Sequence, residues 1–141
     1  MPLLAQNAAR WPDKLCAIFP DTGEALSFAQ LDAAANRIAR GLVALGMEPG
    51  EGVALLLENG PEFLMLTYGA KRAGLMVTPL SIHLRPAEVA HVLRDSGARL
   101  LAASAGLGAL VGALDLSAVP HRLVVDGELQ GFAPLATLMA G

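Results

Sequence analysis

The sequence predicts an α/β protein in three layers, with helices on both faces of a mostly parallel sheet and a β-hairpin near the amino terminus. After the hairpin, helical and strand patterns alternate at the spacing expected of right-handed crossovers. Residues 53–57 form an unbroken apolar run, as in strands that are buried on both faces. The length of 141 residues suits a single domain.

Composition narrows the class of protein. Hydrophobic residues make up 54% and aromatic residues only 4%, so the core must be built from Leu, Ala and Val. The formal net charge of −3 lacks the basic footprint of a nucleic-acid binder, and we expect no nucleic-acid partner. The one cysteine, Cys16, excludes an intrachain disulfide framework and suits a reducing compartment. We see neither a signal peptide nor a membrane span and expect a cytoplasmic protein.

The amino-terminal elements follow from spacing and turn residues. Apolar residues at helical spacing predict a helix over residues 3–11, which Pro12 ends. Two short apolar runs, residues 16–19 and 25–26, flank the turn sequence Asp21-Thr22-Gly23. This arrangement predicts the hairpin.

A capping box predicts the start of the next helix. Ser27 and Gln30 have the required spacing, in which each side chain bonds a backbone N–H of the first turn. Gly46 is expected to end this helix, because glycine adopts the left-handed conformation without steric cost. The predicted apolar face consists of Leu31, Ala34, Ile38, Leu42 and Leu45.

Helices and strands then alternate to the end of the chain. Pro61 and Pro86 are expected at first helical positions, with Asn59 capping the first of these two helices. The remaining predicted elements are strands over residues 53–57, 76–78, 99–103 and 122–125, and helices over residues 107–114 and 132–139.

Several motifs follow one another in an order typical of one enzyme superfamily. They include Trp11-Pro12-Asp13-Lys14, Pro49-Gly50-Glu51-Gly52-Val53-Ala54, Glu58-Asn59-Gly60-Pro61-Glu62-Phe63, Lys71-Arg72-Ala73-Gly74 and Thr78-Pro79-Leu80-Ser81. Together they resemble the amino-terminal region of the AMP-forming acyl-CoA synthetases, a superfamily that also holds luciferases and peptide-synthetase adenylation domains. The resemblance covers nearly the whole chain and is closest to the fatty-acyl branch.

The resemblance implies a ligase that uses ATP, Mg²⁺ and CoA. Such an enzyme activates a carboxylic acid, here a fatty acid, as acyl-AMP and then transfers the acyl group to the thiol of CoA. The family binds ATP phosphates on a Ser/Thr/Gly-rich loop ending in Pro-Lys-Gly and carries a catalytic Lys in a carboxy-terminal domain. Residues 1–141 contain neither. We therefore expect an inactive fragment, the first α/β lobe of the large amino-terminal domain, with the rest of the parent chain as its partner.

Two basic residues are the best candidates for a binding role in this lobe. His83 and Arg85 follow a predicted strand, and ligands of open α/β sheets gather at the carboxyl ends of the strands. In relatives a basic residue on this loop approaches the phosphates of CoA, so the resemblance implies that role here. Where the family often has Asn-Pro-Arg-Leu, this chain has Ser81-Ile82-His83-Leu84, which weakens any contact made by that Arg.

A glycine-rich segment supports an alternative function. Gly106, Gly108 and Gly112 follow a predicted strand, although a dinucleotide fingerprint requires its third glycine one place earlier. Asp126 lies near the spacing expected of a ribose ligand. These residues leave open a stand-alone nucleotide-binding or protein-interaction domain. A close-packed helix start is the simpler interpretation of the glycines.

Other reactive side chains have ordinary explanations. Glu88 and His91 share a predicted helix face, which we interpret as solvated rather than metal-binding. Cys16 lies in an apolar strand, where an inert thiol is expected. We therefore predict no metal site and no catalytic residue. The high apolar content predicts self-association through surface left uncovered.

Overall fold

A computed structural model describes residues 2–20 and 23–140, so Asp21 and Thr22 of the predicted turn lie outside the described residues. The described elements alternate as the sequence predicted. In chain order they are α1 (Pro2–Arg10), β1 (Leu15–Phe19), β2 (Glu24–Ser27), α2 (Phe28–Ala44), β3 (Gly52–Leu56), α3 (Pro61–Arg72), β4 (Met76–Pro79), α4 (Pro86–Ser96), β5 (Ala98–Ser104), a 3₁₀ turn (Ala105–Leu107), α5 (Gly108–Gly112), β6 (His121–Val125), β7 (Ala133–Pro134) and α6 (Leu135–Met139).

Five parallel strands form the main sheet, in the order β4-β3-β5-β6-β7. Strands β1 and β2 form a separate antiparallel hairpin. Helices α2, α3 and α6 cover one face of the main sheet, and α4 and α5 cover the other. This arrangement confirms the predicted three-layer α/β fold with an amino-terminal hairpin.

Strand β3 shows why the apolar run predicted a central strand. All five of its residues are buried. Val53 and Leu55 point to the layer of α2 and α3, whereas Ala54 and Leu56 point to the layer of α4 and α5. Because both faces are covered, the strand carries apolar residues without alternation.

The predicted capping box forms at the start of α2. The backbone N–H of Gln30 donates to Ser27 Oγ at 3.1 Å, and the N–H of Ser27 donates to Gln30 Oε1 at 2.9 Å. The helix ends where predicted, and Gly46 has a left-handed φ of 90°. Leu45 was wrongly placed on the buried face. It is the last residue before the chain turns away towards β3, and 39% of it is exposed.

Helices α2 and α3 cross at very short range. Gly69 of α3 lies against Ile38 of α2, so that a Cβ added to Gly69 would stand 2.5 Å from Ile38 Cγ2. Beside this contact, Arg72 pairs with the carboxylate of Asp32 at 2.6 Å and donates to Asn36 Oδ1 at 2.9 Å. Gly69 allows the two helices to approach closely, and the ion pair beside it holds α3 in its position on α2.

Three local predictions differ from the structure. The helix predicted over residues 107–114 is instead a 3₁₀ turn and the five-residue α5, since glycine is a poor helix former. The helix predicted over residues 132–139 begins only at Leu135, after the two-residue strand β7, which is too short to show a period. Asn59 does not cap α3, because the N-cap position is taken by Gly60.

None of the helices in the described part of the chain combines the length and the apolar content that crossing a membrane requires.

Candidate functional site

The chain reverses its direction across the sheet between β3 and β5. From β3 the chain moves outward to β4, and it then crosses back to β5 on the other side of β3. A crevice forms outside the carboxyl ends of two parallel strands at such a switch point, and ligands of open α/β sheets bind there. Polar residues stand at the end of each of these strands: Glu58 and Asn59 follow β3, and Ser104 is the last residue of β5.

Ser104 ties the two strand ends together. Its side chain is 2% exposed, and its hydroxyl accepts a hydrogen bond of 2.8 Å from the backbone N–H of Glu58. Without this bond, the N–H would be left at the end of a buried strand without a partner, which is costly. Gly106 makes room for the neighbouring carboxylate, since a Cβ there would stand 2.6 Å from Glu58 Oε1.

A pair of carboxyl groups joins α3 to the end of β6. Glu62 lies in the first turn of α3, and its side chain is hydrogen-bonded to Asp126. Two carboxyl groups can share such a bond only while one of them holds a proton. Partial burial, then the hydrogen bond and the charge of Asp126, and then the charge of Glu24 raise the pKa of Glu62 to about 7.

The turn after β6 places Asp126 against Glu62. Asp126 has φ of 61°, a left-handed conformation that aspartate tolerates better than most residues. Gly127 follows with φ of 142° and packs so closely that a Cβ would stand 2.9 Å from Ala105 Cβ. The carboxylate of Asp126 is therefore held by α3, and its position is explained without a ribose.

The negative charge around the ends of β3, β5 and β6 does not suit phosphate. Glu58, Glu62 and Asp126 all follow or flank the carboxyl ends of the central strands. The glycine-rich segment opens as a 3₁₀ turn beside the carboxylate of Glu58, and α5 is only five residues long. Phosphate sites at helix starts rely on a free helix amino end and a positive potential. The geometry therefore gives no support to a dinucleotide site at Gly106 and Asp126.

His83 and Arg85 lie at the same edge of the sheet, in the loop after the outer strand β4. Both residues are exposed. The backbone N–H of His83 donates to Ser81 Oγ at 3.2 Å, and the N–H of Arg85 donates to Glu88 Oε1 at 3.0 Å. Within residues 2–20 and 23–140, neither side chain enters a hydrogen bond or an ion pair. The loop is thus fixed through its backbone while its two basic side chains point to solvent.

The remaining candidates do not converge on a site. Glu88 and His91 are both exposed on α4, and in the described part of the chain no three His, Cys, Asp or Glu residues gather as metal ligands. Cys16 is half-buried, and burial raises the pKa of its thiol, which keeps it protonated and weakly nucleophilic.

Next to the switch point lies an apolar groove of about 360 Å³ between the hairpin and the start of α3. Phe19 and Pro20 of the hairpin region form one wall, and Phe63 and Leu64 of α3 form the other. Sequence reasoning missed this groove and the two carboxyl contacts. A serine at the end of an otherwise apolar strand, Ser104, was the one available signal.

Comparisons with known proteins agree on one family. Residues 4–134 match the model of the family described as AMP-binding enzyme. The long-chain-fatty-acid–CoA ligase FadD13 of Mycobacterium tuberculosis is 36% identical over 124 residues, which is 88% of this chain and 25% of that protein. The sulfoacetate–CoA ligase of Cupriavidus necator is 36% identical over 99 residues, or 70% of this chain and 19% of that protein.

Solved structures give the same result. A fatty acyl CoA synthetase of Mycobacterium tuberculosis superposes with a TM-score of 0.84 at 31% identity, covering 98% of this chain and 27% of that one. An anthranilate CoA ligase bound to anthranoyl-AMP superposes with a TM-score of 0.85 at 26% identity, covering 97% and 27%. The chain thus spans 19–27% of the length of these relatives.

Proposed function

The chain belongs to the AMP-binding enzyme family, and we propose that it is part of an ATP-dependent ligase that forms acyl-AMP and transfers the acyl group to CoA. The observation that carries this proposal is the family match over residues 4–134. The identity to FadD13 favours a fatty acid as the carboxylic substrate. ATP, Mg²⁺ and CoA would be used by the whole enzyme, in the cytoplasm.

Within that enzyme we propose a scaffold role for residues 1–141, as the first α/β lobe of the large amino-terminal domain. At the switch point the backbone N–H of Glu58 is bonded to Ser104 and the side chain of Glu62 to Asp126, and these acidic residues offer a phosphate no cationic cradle. Residues that bind ATP phosphates in the family are absent from this sequence. The lobe would position later residues rather than react itself.

An exchange assay tests this role. We expect the purified 141 residues to catalyse no ATP–pyrophosphate exchange above background with fatty acids, because the family's Ser/Thr/Gly-rich phosphate loop ending in Pro-Lys-Gly is absent from this sequence. The longer protein read from the same frame should catalyse it, and a Ser/Thr/Gly-rich loop ending in Pro-Lys-Gly should appear in that frame. Exchange by the 141 residues would contradict the scaffold role, and an inactive longer protein would contradict the ligase.

We further propose that His83 and Arg85 contact the phosphates of CoA. Their side chains are exposed, unpaired within the described residues, and placed at the carboxyl edge of the sheet. Arginine keeps its charge at any physiological pH and forms forked hydrogen bonds to phosphate oxygens. The surrounding loop is already fixed by Ser81 and Glu88, so binding would order only two side chains.

Titration calorimetry with CoA, ATP and NAD tests this contact and the alternative function together. We expect weak binding of CoA, reduced about tenfold by Arg85→Gln, since one charge-assisted pair is lost. Arg94→Gln, an exposed arginine on α4, should leave CoA binding unchanged. An unchanged affinity for CoA in Arg85→Gln would contradict the assignment. Binding of NAD or ATP would favour a stand-alone nucleotide-binding domain.

Self-association is also proposed for the 141-residue chain. Six large apolar residues are exposed on the described surface: Trp11, Leu15, Ile18, Val43, Leu45 and Met76. Contiguous apolar surface is normally covered by another chain or by the rest of the same chain. We expect the mass measured by light scattering to rise with concentration. A monomer at every concentration would overturn this expectation.

A further inference from the structure

A groove of about 450 Å³ runs along α2, where α2 faces β6, β7 and α6. Leu123, Ala133 and Leu138 supply its apolar floor. Leu138 packs directly against Gly41, so closely that a Cβ on Gly41 would collide with its backbone carbonyl oxygen and its side chain. The groove is therefore formed by packed elements and requires no rearrangement to open.

The two ends of this groove differ in charge. Arg37 and Arg40 line it at one end of the α2 wall, and Ala44 and Leu45 line it at the other. A helix rises about 1.5 Å per residue, so the wall from Arg37 to Leu45 is about 12 Å long. Both arginines are exposed, and neither has an acidic partner or a hydrogen-bond acceptor within residues 2–20 and 23–140. One end is thus cationic and unneutralised, and the other is apolar.

A groove with one cationic end and one apolar end favours a ligand that has an anionic head and an apolar tail. Residues three apart on a helix are neighbours, so the guanidinium groups of Arg37 and Arg40 can both reach one anionic head. Guanidinium binds carboxylate through paired, parallel hydrogen bonds. Apart from these arginines, Thr137 is the one polar side chain among the described residues that line the groove, and the remaining apolar lining can bury methylene groups. The volume lies in the range of small-ligand sites.

We propose that the groove binds the anion of a medium-chain fatty acid. Its carboxylate would lie between Arg37 and Arg40, and its alkyl chain would extend past Ala44 to Leu45. This assignment does not rest on the ligase proposal, because the groove shares no residue with the switch point or with the His83 and Arg85 loop. The groove would be a carboxylate-binding site whose lining residues are separate from those at the switch point.

Binding is to be measured by NMR titration of the 141-residue chain with decanoate, below the concentration at which decanoate forms micelles. We expect the amide signals of Gly41, Ala44 and Leu138 to shift with saturation. Decanoate should bind about tenfold more tightly than octanoate, because two further methylene groups leave water. Decanol, which has the same chain and no charge, should bind at least about fivefold more weakly than decanoate.

Variants locate the two halves of the site. The double substitution of Arg37→Gln and Arg40→Gln should weaken decanoate about tenfold and bring it to the level of decanol. Ala44→Glu places a charge in the apolar half at an exposed position and should abolish binding. Arg94→Gln, on the opposite face of the sheet, should change nothing. Equal binding of decanol and decanoate, an equal loss in Arg94→Gln, or shifts confined to the hairpin groove would each overturn the proposal.

Discussion

Replacing Gly69 with valine is expected to lower the free energy of unfolding by about 3 kcal/mol or more. A Cβ at this position would stand 2.5 Å from Ile38 Cγ2 and 3.2 Å from the backbone oxygen of Ala35. Ile38 is fully buried and branched at its β-carbon, so its side chain cannot rotate away. Helix α3 would have to lift from α2, which would also strain the Arg72–Asp32 ion pair. Urea unfolding followed by circular dichroism measures the loss.

A second glycine serves as the matched control. Gly112 closes α5, and a Cβ added there meets nothing within 4 Å. Gly112→Ala should therefore raise the free energy of unfolding by up to about 1 kcal/mol, because alanine is the better helix former. If Gly69→Val unfolds at the same urea concentration as the parent, the close crossing of α2 and α3 does not exist in solution. If Gly69→Val yields no folded protein, Gly69→Ala replaces it in the test and should lower the free energy of unfolding by a smaller amount.

The architecture could be predicted because its helices and strands are encoded by local signals, each of which involves only a few neighbouring residues. The Ser27–Gln30 capping box and the apolar run of β3 depend only on neighbours in the chain, and both are confirmed. The alternation of elements then fixed the class of fold through the preference for right-handed crossovers. Strand β7 was missed because two residues cannot show a period of two.

The contacts at the switch point could not be predicted in this way. Ser104 bonds Glu58 only because β5 returns beside β3. Glu62 contacts Asp126 only because β6 lies beside β5 in the sheet. Strand order is a property of the whole chain, and no local pattern around these four residues encodes it. The groove beside α2 was missed for the same reason, since its floor comes from β6, β7 and α6.

The carboxyl pair at the end of β6 makes stability depend on pH. The pKa of Glu62 is raised to about 7 from an ordinary value of 4.5, chiefly by burial and then by Asp126. The folded protein therefore keeps a proton on Glu62 that the unfolded chain has already released above pH 4.5. This contribution to stability is complete below pH 4.5, declines as the pH rises, and is lost once the pH passes 7. Stability should fall across this window.

Glu62→Gln is expected to remove that decline. The amide still donates a hydrogen bond to Asp126, but it carries no charge at any pH, so its contact with Asp126 no longer weakens as the pH rises. The full shift from 4.5 to about 7 corresponds to about 3.4 kcal/mol, and solvent screening of the partly exposed side chain reduces it to about 1–2 kcal/mol. At pH 8 the free energy of unfolding of Glu62→Gln should exceed that of the unsubstituted chain by that amount. At pH 4.5 the two values should be equal, as measured by urea unfolding.

Two further variants separate the contact from a general effect of charge. Asp126→Asn removes the negative charge beside Glu62 and should shrink the decline between pH 4.5 and 7, because the asparagine amide can donate to the charged form of Glu62 and does not repel it. Asp95→Asn removes one negative charge from the exposed face of α4 and should leave the decline unchanged. A parent protein whose stability is flat over this window would show that the two carboxyl groups do not meet. A decline that persists in Glu62→Gln would place its origin elsewhere in the chain.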